Sequence, residues 1–248
     1  MIEAAIDGPV ARITLNRPEA HNALDQAAMA GLTARLADWS GRDDLRVLVL
    51  TGRGRSFCAG AALGDVAGAD WTDNPLTRLC DTLEAFPVPT IAALNGGAYG
   101  GGVELALACD FRLGVTGMRA FVPPARLGIH YEPAGIARAI DRLGSQLTRR
   151  MFLLAESFDA EGLLAAGFLD HLVAPDALEA RAAGMATAIS GLAPLAVRGM
   201  KRTIVELTRG SLDAAAARRR IAACFASADH AEGLAAQRER RPPLFTGS

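Results

Sequence analysis

Residues 2–18, IEAAIDGPVARITLNRP, keep a two-residue rhythm in which Ile13 and Leu15 alternate with Arg12 and Thr14. Asp7-Gly8 is a turn dipeptide, so a β-hairpin is expected here. The rhythm then lengthens. Met29, Leu32, Leu36 and Trp39 recur at three- to four-residue spacing behind Asp25, which predicts an amphipathic helix with Asp25 as its N-cap. VLVLTG (47–52) is apolar without alternation and suits a strand buried on both faces. After a loop at about 53–75 the same kind of unit returns: a helix before PVPT, a strand TIAAL, a glycine run, and a strand FRLGV following Asp110. From about residue 134 helical patterns take over. GIARAIDRL is closed by Gly144, QLTRRMFLLA follows, DAEGLLAAG is stopped by Gly167, and after a short FLDHLV helices are expected from about 176 to 228. No repeat of fixed period is visible. The pattern predicts one α/β domain with a helical C-terminal part.

Composition narrows the class. A chain of 248 residues, half of them hydrophobic, can bury a large core. Its 26 Lys and Arg nearly balance 27 Asp and Glu, so no field exists to attract nucleic acid or an anionic membrane, and neither partner is expected. Cys58, Cys80, Cys109 and Cys224 lack C-x-x-C spacing and a companion histidine pair; no metal site is expected, and reduced core cysteines point to the cytoplasm. The N-terminus has no basic segment leading into an apolar one. No apolar run approaches the roughly 20 residues of a membrane span.

Two glycine-containing loops follow buried strands, where α/β folds bind ligands: TGRGRSFCAGAALGDV and NGGAYGGGVELALACD. The first has Gly52-Arg53-Gly54 after a strand but Phe57 at the sixth position of a dinucleotide fingerprint, and no long helix opens there. In the second, glycines 100 to 102 let main-chain N–H groups approach a ligand at a helix start, where unpaired donors favour an oxyanion. Ala59-Gly60-Ala61 offers a second small-residue backbone segment. Glu104, in the first helical turn, then lies near the bound group as a candidate general acid or base. The competing reading is tight packing at Gly100–Gly102 and a glutamate that merely suits the helix dipole.

FCAGAAL and AYGGGVELALACD, in this order, resemble the motifs F-x-A-G-A-D-L and A-x-G-G-G-x-E-L-A-x-x-C-D of the enoyl-CoA hydratase/isomerase (crotonase) superfamily. ITLNRPEAHNALD, PTIAALNG, ESFDAEGLLAAGFLDHLV, APLAVRGMKR and RRPPLFTG also look like family segments, so the resemblance covers nearly the whole chain. It implies a crotonase-like spiral of ββα units over residues 1–190, binding acyl-CoA, and a C-terminal helical region at 191–248 that covers the CoA pocket and builds a homotrimer or hexamer. It further implies that the N–H groups of Ala61 and Gly101 hold the thioester carbonyl, with coenzyme A entering as part of the substrate and no other cofactor. His21, Ala23 and Leu24 match family positions around CoA, as do Ala59, Ala61, Ala62 and Leu63. His21 stands where Lys or Arg is common, which weakens a phosphate contact or makes it pH-dependent.

Departures from the pattern bear on the reaction. Family hydratases carry a second glutamate in F-G-x-P-E; here the segment reads FVPPARLGIHYEPAG, which puts Ala125 or Pro124 at that place. The aspartate usual after the oxyanion-hole alanine is Ala62, a site that is usually structural. Hydration is best served by two carboxylates positioning one water. Glu132 lies close in sequence but reads as a surface residue, and His130 as a loop residue. LGIHYEPAGI resembles the methylmalonyl-CoA decarboxylase-like branch in its tyrosine, Tyr131, which implies a role near the carbonyl or a place in the pocket wall; that branch's oxyanion-loop histidine has no counterpart at Ala61. The expected activity is that of an enoyl-CoA hydratase/isomerase with Glu104 as sole proton carrier. A decarboxylase, a thioester hydrolase and a non-catalytic acyl-CoA binder are its rivals.

Overall fold

The structure, a computed structural model, describes residues 2–62 and 73–248. Strands β1 (Ile2–Asp7) and β2 (Val10–Leu15) form the expected hairpin, turning at Gly8, whose φ of 53° suits glycine. Helix α1 (Gln26–Ser40) follows, and the Asp25 carboxylate accepts a hydrogen bond from the Ala28 N–H at 2.8 Å. Met29, Leu32, Leu36 and Trp39 are all buried on its inner face.

Beyond α1 the chain alternates between two sheets. Strands β3 (Val47–Gly52), β5 (Thr90–Leu94), β7 (Phe111–Val115) and β10 (His171–Val173) are parallel members of a six-stranded sheet of order β1-β2-β3-β5-β7-β10. Each of the first three is followed within a few residues by a three-residue strand: β4 (Ser56–Cys58), β6 (Gly97–Tyr99) or β8 (Arg119–Phe121). With β9 (Phe158–Asp159) these make a second, four-stranded sheet, β4-β6-β8-β9. A helix then returns the chain: α2 (Pro75–Glu84), α3 (Gly101–Leu107) and α4 (Pro133–Leu153). This is a spiral of ββα units. The second sheet has no hydrophobic rhythm in the sequence because a three-residue strand is too short to display a period of two.

The remaining elements are α5 (Ala160–Ala165), α6 (Leu178–Ser190), α7 (Pro194–Thr208), α8 (Ala214–Phe225) and α9 (Ala228–Glu239). Helical structure therefore continues past residue 228, where the pattern suggested an end. Gly144, at φ 76° and ψ 160°, breaks α4 as expected. Val47, Leu48, Val49 and Leu50 are buried on both sides of β3, and α6 packs across β3, β5 and β7. Burying each such aliphatic side chain is worth roughly 1.5–3 kcal/mol.

The turn between β3 and β4 is laced by two asparagines. Asn22, 1 % exposed, donates from Nδ2 to the carbonyls of Arg53 (2.9 Å), Ser56 (2.8 Å) and Phe57 (3.1 Å), and its Oδ1 accepts from the Arg17 N–H. Asn95 accepts from the Gly52 N–H at 3.0 Å and donates to the carbonyls of Gly54 and Ser56. A Cβ at Gly52 would meet both amides, at 2.8 Å each. Gly52-Arg53-Gly54 is thus a cross-braced turn, not a phosphate loop. At the other end of the chain, Glu232 of α9 holds the tail: it accepts from both Nη atoms of Arg241 and from the Leu244 N–H at 2.8 Å. Arg241 chiefly, then the Leu244 bond, depresses the Glu232 carboxyl to about 2.

Asn22→Ala leaves these buried carbonyls unpaired, and a loss of at least about 2 kcal/mol in urea unfolding is expected; a loss within error would mean the lacing is dispensable. Because the Glu232 carboxyl is depressed on folding, its grip is present above the ordinary carboxylate range and is lost as pH falls toward about 2. The protection of the Leu244 amide, its exchange relative to the intrinsic rate at each pH, should fall on acidification toward about 2, and Glu232→Gln should show that lowered protection already at neutral pH; protection insensitive to both would refute the clasp.

Candidate active site

Strands β4 and β6 are parallel neighbours, with Ser56 opposite Gly97 and Cys58 opposite Ala98, so the loops leaving their carboxyl ends emerge side by side. Gly60 (φ +83°) and Gly100 (φ +51°) turn those loops in the left-handed region. A Cβ on Gly60 would stand 2.5 Å from the Gly101 nitrogen, and one on Gly101 would stand 3.2 Å from the Gly60 Cα and 3.4 Å from the Ala61 nitrogen. The two segments therefore touch backbone to backbone.

The donors on this contact are free to point outward. Leu24 and Ala61 form a parallel bridge through the flanking bonds Leu24 N–H to Gly60 O and Ala62 N–H to Leu24 O, both 2.8 Å. In that pattern the Ala61 N–H faces away from Leu24. Gly101 opens α3, so its N–H has no acceptor within the helix. Two main-chain donors thus stand where the loops meet, the arrangement that stabilises charge developing on a carbonyl oxygen.

The residues expected around CoA run beside this point. The Ala59 N–H donates to the His21 carbonyl at 3.0 Å, completing a ladder between residues 21–24 and 59–62. His21 is exposed and its Nδ1 lies 2.9 Å from the Ser56 hydroxyl. Ala23, Ala59 and Ala62 are half-buried. Leu24 is different: its side chain is 2 % exposed in the core, so only its backbone borders the loop. Leu63 lies outside the described residues.

Glu104 is 3 % exposed in the first turn of α3. Its Oε1 accepts from Arg138 Nη1 at 2.7 Å in a fully buried pair. Burial pushes its carboxyl above the ordinary range, opposed chiefly by the Arg138 charge. Arg138 Nη2 also binds Asp81 (2.7 Å) and Glu84 (3.4 Å), and Arg209, which caps the C-terminus of α7, grips the same two acids. Sequence reasoning missed this network. Its one signal was the three-residue spacing of Gly135 and Arg138, which places both on one face of α4.

Tyr131 completes the wall beside Glu104. Its ring meets Phe152 edge-on at 5.0 Å, and its hydroxyl is buried near enough to Glu104 for the two to influence each other, yet without hydrogen-bonding geometry to any residue. Burial first, and then the Glu104 charge, raise the phenol well above its usual range. The segment in which a second glutamate is expected by resemblance passes the same loop. Pro123 packs 3.6 Å from the position a Cβ would take on Gly100, and the short turn Pro124–Leu127 that follows carries Pro124 half-buried and Ala125 exposed. No carboxylate stands in that turn. Glu132 precedes α4 without a side-chain capping bond, and exposed His130 bonds the Tyr131 carbonyl through Nδ1 at 2.7 Å.

The three buried cysteines offer no nucleophile. Cys58, Cys80 and Cys109 are buried, and burial lifts the thiols of Cys58 and Cys109 to about 12. Among the described residues no group of His, Cys, Asp or Glu is arranged to hold a metal ion, and no single helix is long and apolar enough to cross a membrane.

Comparison with known proteins finds relatives along the whole chain. A probable enoyl-CoA hydratase of Mycobacterium leprae is 35 % identical over 245 residues, covering 96 % of both chains. The 2,3-dehydroadipyl-CoA hydratase of Escherichia coli is 33 % identical, covering 95 % of this chain and 94 % of its own. The crystal structure of an enoyl-CoA hydratase/carnithine racemase from Magnetospirillum magneticum superposes with a TM-score of 0.92 at 30 % identity, over 100 % of this chain and 96 % of that one. The family model described as enoyl-CoA hydratase/isomerase matches residues 5–248, and the chain belongs to that family, with its crotonase fold.

Proposed function

We propose that the chain binds acyl-CoA thioesters and moves one proton next to the thioester carbonyl, as in shifting a double bond between the 3- and 2-positions. The observation that carries this is the convergence of the Ala61 and Gly101 backbones at the start of the helix whose first turn carries the buried Glu104. The carbonyl oxygen accepts from both donors, which makes the α-proton acidic; Glu104 takes that proton to leave a dienolate and returns it at the γ-carbon. One carboxylate suffices for this traffic. Water addition, which needs oxygen placed on one carbon and a proton on the next, has lost its second carboxylate at Pro124 and Ala125. His21, Ala23, the Leu24 backbone, Ala59, Ala62 and Leu63 would border the CoA moiety, and the relatives' names, which specify CoA hydratases, support this substrate class.

Residues 1–190 would form the catalytic spiral and 191–248 an oligomerising region in a homotrimer or hexamer. Supporting this, Met200, Ile204, Leu207, Ile221 and Phe225 of α7 and α8 are all more than half exposed, an apolar face unlike that of a monomer. Two other readings have an observation each. The buried Glu104–Arg138 pair favours an acyl-CoA binder without chemistry. The unpartnered Tyr131 hydroxyl favours a decarboxylase or hydrolase that engages a substrate oxygen there.

A panel of 2-enoyl, 3-enoyl, malonyl-type and saturated CoA thioesters, followed by mass spectrometry and by the ultraviolet change of a shifted double bond, is expected to give isomerisation faster than hydration. Loss of carbon dioxide, release of free CoA, or tight binding with no product would each replace the proposal by the corresponding rival. Glu104→Gln should lower turnover by about 10²–10⁴-fold. Since burial raises the Glu104 carboxyl, its basic form is depleted as pH falls, and kcat should drop through a limb above the usual carboxylate range; a limb unchanged in Glu104→Gln would remove Glu104 from the chemistry.

A further inference from the structure

The Glu104 carboxylate is met from three sides. From α4, Arg138 donates Nη1 to Oε1, and Gly135 leaves the space for Oε2: a Cβ there would stand 2.8 Å from Oε2, 2.9 Å from Cδ and 2.5 Å from Tyr131 Cε1. From the segment before α4 comes Tyr131, and from α2 come Cys80, Asp81 and Glu84, of which Asp81 adds a like charge. Arg142 lies behind, 4.0 Å from Glu84. Arg138 cannot turn freely, because its Nη2 is pinned by Asp81 and Glu84, themselves held by Arg209. A planar guanidinium anchored on one edge presents its other edge in one direction.

We propose that Arg138 is a positioning residue: it binds Oε1 of Glu104 from a fixed direction and so leaves Oε2, in the space opened by Gly135 beside Tyr131, as the oxygen that exchanges a proton with the acyl group. This rests on the reading of Glu104 as proton carrier. An arginine that served only to knit α2, α3, α4 and α7 together would affect stability and leave the ionisation of Glu104 untouched.

The test uses the full chain labelled with ¹³C at the glutamate carboxyl carbons, with the Glu104 signal identified by its loss in Glu104→Gln. Its titration midpoint is followed alongside turnover of the best thioester. Arg138→Met should move the midpoint upward, since burial and the Asp81 charge then lose their chief opponent. With it, kcat at neutral pH should fall roughly tenfold or more and recover as pH rises, KM changing little. Arg138→Lys keeps the charge without the fork and should shift both part of the way. Gly135→Ala crowds Tyr131 and Oε2 and should lower Tm, and under conditions where the variant is folded it should lower kcat at least about tenfold by displacing Oε2, KM changing little. A folded Arg138→Met with an unmoved midpoint overturns the inference. Should that variant fail to fold, Arg138→Lys decides, and an unchanged midpoint and pH profile there overturns it equally. If the native chain turns over no thioester while the midpoint still moves, the proton-carrier reading fails and the hold of Arg138 on Glu104 stands.

Discussion

Gly60 and Gly101 meet with less room between them than one methyl group would need, and this contact fixes where the rest of the site can be. It exists because β4 and β6 are parallel neighbours in the small sheet, so the loops leaving them travel together. The braced turn at residues 52–57 aims β4, and the strand ladder between residues 21–24 and 59–62 carries the N-terminal segment to the same edge. Each layer of the fold thus limits the error in a gap that tolerates little.

Electrostatics presents a second constraint of a different kind. A carboxylate removed from water is costly, and the cost is offset only by a cation in good geometry whose own charge is balanced in turn. Glu104 has Arg138, Arg138 has Asp81 and Glu84, and those acids reach the surface through Arg209. The chain of charges ends where water can share the load. Breaking such a buried pair on one side costs about 3–5 kcal/mol in other proteins, so the network is a structural investment as well as a chemical one.

Much of this was legible in the residues. Asp25 before a three-to-four rhythm gave a capped helix, the apolar run at residues 47–52 gave a buried strand, and two glycine loops after strands gave the place of the site. Strands β4, β6 and β8 stayed hidden because three residues carry no period, and α9 because Gly233 and several charged residues dilute its apolar face. Arg138 was missed for a deeper reason. An arginine on an amphipathic helix reads as solvent-facing, and only the meeting of four elements far apart in sequence turns it inward. Leu24 shows the converse: a position matched by motif can offer its backbone while its side chain belongs to the core.

What the two loops offer at their contact is main-chain nitrogen, and this bears on how such a chain changes over generations. No side-chain truncation deletes an N–H group, so a survey by alanine replacement would pass over the centre of the site and register only its surroundings. A side chain such as that of Glu104, by contrast, is removed by a single substitution. A scaffold of this kind can keep its ligand while its reaction is rewritten, because recognition is stored in the path of the backbone and the chemistry in side chains that drift independently of it.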